Sequence, residues 1–447
     1  MQSNVRLALA AVVVAAAVGT PTAAFAQIGA RSFRGLFSGT GYDKNVRHSL
    51  EFGATVTEAY DDDVPGEFAG SPNDLLVSGY STVLDFNGMY KWKSNRFEFG
   101  ANGTSVLRYY NASDNFRSST HVGAVGFSAK LSGSSEVFAN QSVAYSPSHL
   151  YSVFPVDPLI DPGEVPPPGE DFQVVETVST TYNTDLRWTQ GLGLRNTLGV
   201  SGNINYTDFQ DDQPAPGQVI YDDLQSYLVR TDFTRNFNRR LALVAGYFYR
   251  QGDYANSTGA PTSEHGVEGG LDYKRALSST RSAFFGFRVA TSRLEGEVIL
   301  PTGAARSTQS LFSGSVNAAY QFGRSWAASG NYRRGVDFVP GFGQPVVSDG
   351  LSVGLTGTFT DRLELATSFG YSNGDSALLE ERFPFDTYTG QAMVRYGLTK
   401  TIAATFEYIY YYYRFGDNTP LPVGVPQGLE RNGIRAGLTV WVPAFRK

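Results

Sequence analysis

From about residue 48 to the end of the chain, apolar and polar residues alternate in runs of roughly ten, each run closed by a turn. Leu351, Val353, Leu355, Gly357 and Phe359 alternate with Ser352, Gly354, Thr356, Thr358 and Thr360. After a turn at 360–362, Leu363, Leu365, Thr367, Phe369 and Tyr371 alternate with Glu364, Ala366, Ser368, Gly370 and Ser372. A period of two is that of a strand with unlike faces. One such hairpin would suit a two-sheet sandwich equally well. Here the unit recurs about eighteen times, with centres near 54, 84, 103, 125, 141, 182, 202, 229, 245, 270, 287, 316, 330, 354, 367, 392, 407 and 438. The repetition predicts an all-β chain, a transmembrane antiparallel up-and-down β-barrel of about 18 strands.

The connections separate barrel from sandwich. Every second one is short: 93–96, 132–135, 236–240, 322–325, 359–362 and 398–401. Those between them are long: 61–74, 146–171, 208–223, 295–307 and 416–428. Short turns at one rim and long loops at the other are the asymmetry of bacterial outer-membrane barrels. An even strand number then leaves both termini in the periplasm.

The charges sort with the alternation. Phe86, Gly88, Tyr90 and Trp92, or Leu241, Leu243, Ala245, Tyr247 and Tyr249, make an apolar register facing lipid. Asp85, Lys91, Glu98, Arg108, Arg230, Asp232, Arg288, Arg333, Arg395, Glu407 and Arg435 fall in the other register and are the candidate lumen-lining charges. A charge at the bilayer midplane costs about 2–4 kcal/mol, so their near absence from the apolar register is itself informative. The stretch EYIYYYYRFGD, Glu407–Asp417, reads the same way. Phe406, Tyr408, Tyr410 and Tyr412 run outward from hydrocarbon into the headgroup belt. Tyr411 and Tyr413 point inward as candidate lumen aromatics, open to stacking on sugar rings.

The N-terminus carries a different pattern. Arg6, the apolar run Leu7–Val18 and the small-x-small triplet Ala24-Phe25-Ala26 form a secretory signal peptide over residues 1–26. A periplasmic leader over 27–47 and the barrel over 48–447 complete the expected organisation. No later apolar run approaches the roughly 20 residues of a membrane helix. With no cysteine among its 447 residues the chain holds no disulfide, although the export compartment would permit one. Its net charge of −6 argues against a nucleic-acid partner, which requires a basic stripe.

No enzyme constellation or cofactor motif stands out. His48, His121, His149 and His265 are dispersed and lack metal-ligand spacing. The segment GTGYD at 39–43 has no P-loop lysine. The inward charges carry more: Arg395, Glu407 and Arg435 lie on three consecutive strands, and Arg230/Asp232, Asp185/Arg187 and Asp272/Lys274 offer both signs within one strand. These describe either a selective constriction or a neutralised wall, and the mixed signs argue against strong ion selectivity. The proline-rich loop 146–171 is the candidate lid.

The last strand, with polar Arg435, Gly437, and apolar Val440 and Val442, resembles the signal read by the barrel-assembly machinery. It departs from that signal in that Phe445 is followed by Arg446 and Lys447. The KSNR-like and FTDR-like turns, the tyrosine-rich strands and the GLTVWVP ending resemble the outer-membrane β-barrel porin family found among exopolysaccharide export loci. That resemblance implies an outer-membrane conduit for polysaccharide export with a periplasmic export partner. The residues alone leave open a diffusion porin for small solutes, or a plugged structural or adhesive barrel.

Overall fold

The structure, a computed structural model, describes residues 47–65, 76–110, 117–146, 178–210, 223–255, 261–300, 303–323, 325–340, 344–378, 384–416 and 427–446. The signal peptide, nearly all of the leader, and all but the first residue of the lid expected at 146–171 lie outside these.

Eighteen strands make up the fold. The first six are β1 (His48–Pro65), β2 (Leu76–Lys93), β3 (Phe97–Tyr110), β4 (Arg117–Lys130), β5 (Ser135–Ser146) and β6 (Ser179–Gly191). Then come β7 (Asn196–Phe209), β8 (Leu224–Asn236), β9 (Leu241–Tyr254), β10 (Thr262–Ser278), β11 (Arg281–Leu300) and β12 (Gly303–Phe322). The last are β13 (Trp326–Asp337), β14 (Val346–Thr360), β15 (Leu363–Ser376), β16 (Phe385–Gly397), β17 (Ile402–Phe415) and β18 (Gly428–Arg446). Each strand pairs antiparallel with its neighbours in sequence, and β18 closes on β1 from Ser49/Arg446 to Asp61/Gly433. Closure leaves no free edge around the body of the barrel, the condition for a sheet to cross a bilayer. The start of β1 and the end of β18 meet at the rim that carries the short turns.

Those turns hold themselves together with side chains. The Asn238 Oδ1 accepts hydrogen bonds from the backbone N–H groups of Arg240 (2.7 Å) and Leu241 (2.9 Å). Thr360 Oγ1 does the same for Arg362 and Leu363, and Thr399 Oγ1 for Thr401 and Ile402. Such Asx- and ST-turns fix a hairpin locally. Gly193 and Gly323 take up the left-handed conformation in two of the others, at φ 83° and 78°.

The outer surface has three bands. Phe52, Val56, Phe86, Val125, Phe127, Val229, Phe369 and Leu438 are exposed there and form the apolar belt. A girdle of tyrosines lies towards the long-loop rim: Tyr60 packs on Tyr80 at 5.0 Å, Tyr182 on Tyr206, Tyr371 on Tyr388 at 4.9 Å, and Tyr388 on Tyr412. The opposite girdle is Phe and Trp, with Phe322, Trp326 and Phe359 in contact. Ring bodies in hydrocarbon and polar tips in the headgroups suit both boundaries.

Two expected loops are strand over their described residues. The segment 61–74 is paired as far as Pro65, and 295–307 forms the upper part of the β11–β12 ribbon, paired from Glu295/Thr308 to Leu300/Gly303.

Above this rim the wall is not continuous. The β12–β13 pairing runs from Phe322/Trp326 only to Gly314/Arg334, whereas β12 continues to Gly303. Beyond Arg334, strand β13 leaves β12 and bends into the lumen. Val336, on the outward-facing parity of β13, thereby comes to rest against Leu294, on the inward-facing parity of β11.

Candidate functional site

The pairing register fixes which side chains share the lumen. Starting from Tyr411, it carries Arg431 and Thr389 to the same face, and around the barrel every one of the eleven candidate charges lands there. Their partners are mostly on neighbouring strands. Lys91 Nζ lies 2.9 Å from Glu98, which Lys93 also reaches at 2.6 Å. Arg230 donates to Glu268 from Nε at 3.0 Å and sits 3.5 Å from Asp232. Arg288 holds Asp272 in a two-pronged contact of 2.8 and 2.9 Å. Arg395 lies 3.9 Å from Glu364. Glu407 stands directly opposite Arg435 in register, while Arg395 is offset, opposite Thr405. The expected three-strand ladder is therefore stepped rather than straight.

In two of the expected within-strand pairs the members also meet other residues. Asp185 accepts from Asn183 (2.7 Å) and Asn203 (2.9 Å), and the Arg187 guanidinium lies 5.0 Å over the Phe138 ring. Asp272 takes Arg288 across the strand boundary. Asp185 and Asn203 stand directly opposite in register, whereas Asp272 and Arg288 are diagonal neighbours that a long side chain can still bridge.

Tyr411 and Tyr413 face inward and are closed to solvent, at 0% and 1% exposure. They pack on one another at 5.8 Å, and Tyr413 packs on Phe415 at 5.3 Å. Neither ring offers a face on which a sugar could stack. Next to them Arg431 and Asp61 form an ion pair of 2.8 Å, both side chains 1% exposed.

The second feature is the inward-bent tip of β13 to β15, whose apolar side chains meet glycines on the nearby wall strands β9 and β11. Gly252, on the inner face of β9, sits under the Phe338 ring, and a Cβ at 252 would overlap that ring. Gly296 on β11 sits under Leu378, whose Cδ1 lies 2.6 Å from where a Cβ would stand. Around these two seats Leu294, Val336, Ala377 and Leu378 make a buried cluster, with Leu311, Phe338 and Val347 against it. Arg250 of β9 donates a hydrogen bond to the Val336 carbonyl and lies 3.8 Å from the buried Glu264. Arg333 and Ser348 both donate to Asp337. Ser307 donates to the Leu378 carbonyl at 3.4 Å. Sequence parity places Arg250 and Glu264 in the inward register but cannot show that β13 bends over to meet them.

Two of the described histidines lie elsewhere. His121 and His265 are on the lipid-facing side, hydrogen-bonded to Ser105 (3.0 Å) and Tyr247 (2.8 Å). His121 also stacks on Tyr145. Among the described residues no group of three or more His, Cys, Asp or Glu side chains could hold a metal ion.

A closed 18-stranded barrel, with an apolar belt between aromatic girdles outside and paired charges within, is an integral protein of the bacterial outer membrane. No family model matches the chain, and no curated relative does. Solved structures similar to the chain include three Pseudomonas aeruginosa proteins. OpdL is 12% identical, with 89% of this chain and 99% of that one covered at a TM-score of 0.39. OpdQ is 12% identical, covering 90% and 99% at 0.40. OccK2 (OpdF), in complex with glucuronate, is 10% identical, covering 89% and 98% at 0.41.

Proposed function

We propose that the barrel is a passive outer-membrane channel for small polar solutes. The carrying observation is the inner wall, where charges of both signs and amides alternate from strand to strand and are matched pair by pair, as at Arg230/Glu268 and Arg288/Asp272. Barrels of sixteen to eighteen strands enclose an aqueous lumen when nothing fills it. Matched charges keep such a lumen wet without favouring one ion strongly. Polysaccharide export, which the family resemblance implies, would be helped by open aromatic surfaces, and Tyr411 and Tyr413 offer none.

Proteoliposomes holding the purified protein should swell in isotonic solutions of small sugars and amino acids, and planar bilayers should show stepwise conductance. Liposomes that stay intact towards every solute below a few hundred daltons would sink the reading. In a strain lacking the gene, uptake of small solutes should slow while extracellular polysaccharide stays constant; the reverse pattern would restore the export reading. The same proposal has residues 1–26 removed on export and 27–47 left as a leader. Sequencing the N-terminus of protein taken from outer membranes should then begin at Gln27.

A further inference from the structure

We infer that the inward-bent tip of β13 to β15 is a docked, removable stopper that sets the bore of the lumen. On this inference Phe338 and the Arg250–Glu264 and Arg333–Asp337 pairs decide which solutes pass. The inference rests on the channel reading and adds to it the place and parts of the constriction.

Three observations point the same way. The wall lets go of the strand: β12 continues to Gly303 while its partner β13 is released at Arg334. A continuous barrel would have kept those ladder hydrogen bonds; here the released strand makes contacts inside the mouth instead. The released tip then lands on prepared ground. Phe338 and Leu378 come from the ends of two different strands, and each meets a glycine on the facing wall, Gly252 or Gly296. Both glycines are strand residues without positive φ, so what distinguishes them there is the missing side chain, which permits close approach.

Last, the docking mixes contacts that hold with contacts that can be released. The apolar part, from Leu294, Val336, Ala377 and Leu378, is small for a core. Arg250 spans the gap to the tip by a hydrogen bond to one backbone carbonyl, with Glu264 beside it at 3.8 Å. On the tip Asp337 collects Arg333 and Ser348. A segment held by one small apolar cluster and a few polar contacts belongs to the low-stability end of a protein, where local opening occurs. Among the described residues, Phe338 and these charges lie on the way of a solute entering from the long-loop rim. Small polar molecules that can trade hydrogen bonds with Arg250 or Asp337 are the class this arrangement admits.

The chain has no cysteine, which makes a cross-link test clean. The Phe338 ring lies so close to position 252 that cysteines at both places fall within disulfide reach. Gly252→Cys/Phe338→Cys would be followed in planar bilayers, the bond verified by mass and barrel folding by heat-modifiable gel migration. Oxidised, the channel should hold one low conductance; dithiothreitol should restore larger openings, while the wild type ignores both treatments. Gly252→Val, which unseats Phe338 without breaking the ladder, should raise mean conductance about two-fold or more and admit larger sugars in the swelling assay. If the verified disulfide leaves conductance and size limit unchanged, and Gly252→Val does too, the stopper is refuted while the channel reading stands. A wild type that conducts nothing beside a conducting Gly252→Val would support the stopper and make the resting protein a closed channel. Silence from every folded variant would overturn both readings.

Discussion

At the scale of single residues, Arg431 and Asp61 bear the heaviest cost. Both side chains are 1% exposed, and each is the other's counter-ion at 2.8 Å across the β18–β1 seam that closes the barrel. Removing one charge leaves the other buried without that counter-ion, which typically costs 3–5 kcal/mol, whereas replacing both by apolar residues of similar volume is often neutral. We therefore expect Arg431→Ala to destabilise the folded barrel by about that amount, and Arg431→Met/Asp61→Leu to recover most of it. Urea titrations of the protein in lipid vesicles measure both, and a double variant no better than the single one would show that the pair has no such coupling. Arg431 was legible in part. It shares the parity of Arg435, four residues on, so alternation assigns its face; nothing local says that it is sealed while Arg230 and Arg288 stay partly wet. Depth depends on what packs over a side chain, and a period of two carries no information about that.

At the scale of strands, alternation was nearly sufficient. Every strand centre read from the sequence falls inside an observed strand, because each face has a different solvent and a one-residue slip would put polar groups into lipid. The same logic gives a sharp test on β12. Val316 faces lipid between Phe312 and Tyr320, and the next residue, Asn317, faces the lumen and is exposed there. Val316→Arg should cost about 2–4 kcal/mol, while Asn317→Arg should cost well under about 1 kcal/mol. Folding titrations into vesicles decide it, and equal costs would mean that the faces have been assigned wrongly. The upper β11–β12 ribbon and the bend of β13 were not legible. Pro301 suggests a loop, and the bend brings Phe338 onto Gly252 and Leu378 onto Gly296, which lie 86 and 82 residues earlier in the chain. Glycines in strands are common here, and only the fold says which two are seats.

At the scale of the whole barrel, the question is what a lumen of matched charges does to an ion. Arg230 faces Glu268 and Asp232, and Arg288 faces Asp272, all on the inner face of β8 to β11. An ion passing at several ångströms feels these pairs as dipoles whose fields largely cancel, so the wild-type pore should separate potassium from chloride only weakly. Glu268→Gln/Asp272→Asn breaks the balance in one direction. Arg288 loses its carboxylate and Arg230 keeps only Asp232, so the reversal potential across a potassium chloride gradient should shift towards anions. Arg230→Gln/Arg288→Gln should shift it towards cations by a similar amount. At about 0.1 M salt the screening length is roughly 10 Å, comparable to the width over which these charges act; at about 1 M it is roughly 3 Å and both shifts should fade. The pair of opposite variants matters because a wall loosened by substitution can by itself move the potential in one direction. Equal and opposite shifts that vanish with salt come only from charges beside the conducting path. If both variants keep the wild-type reversal potential in dilute salt, these residues face a part of the lumen that ions do not cross, and the route must run along the β16 to β3 side, past Arg395 and Lys91.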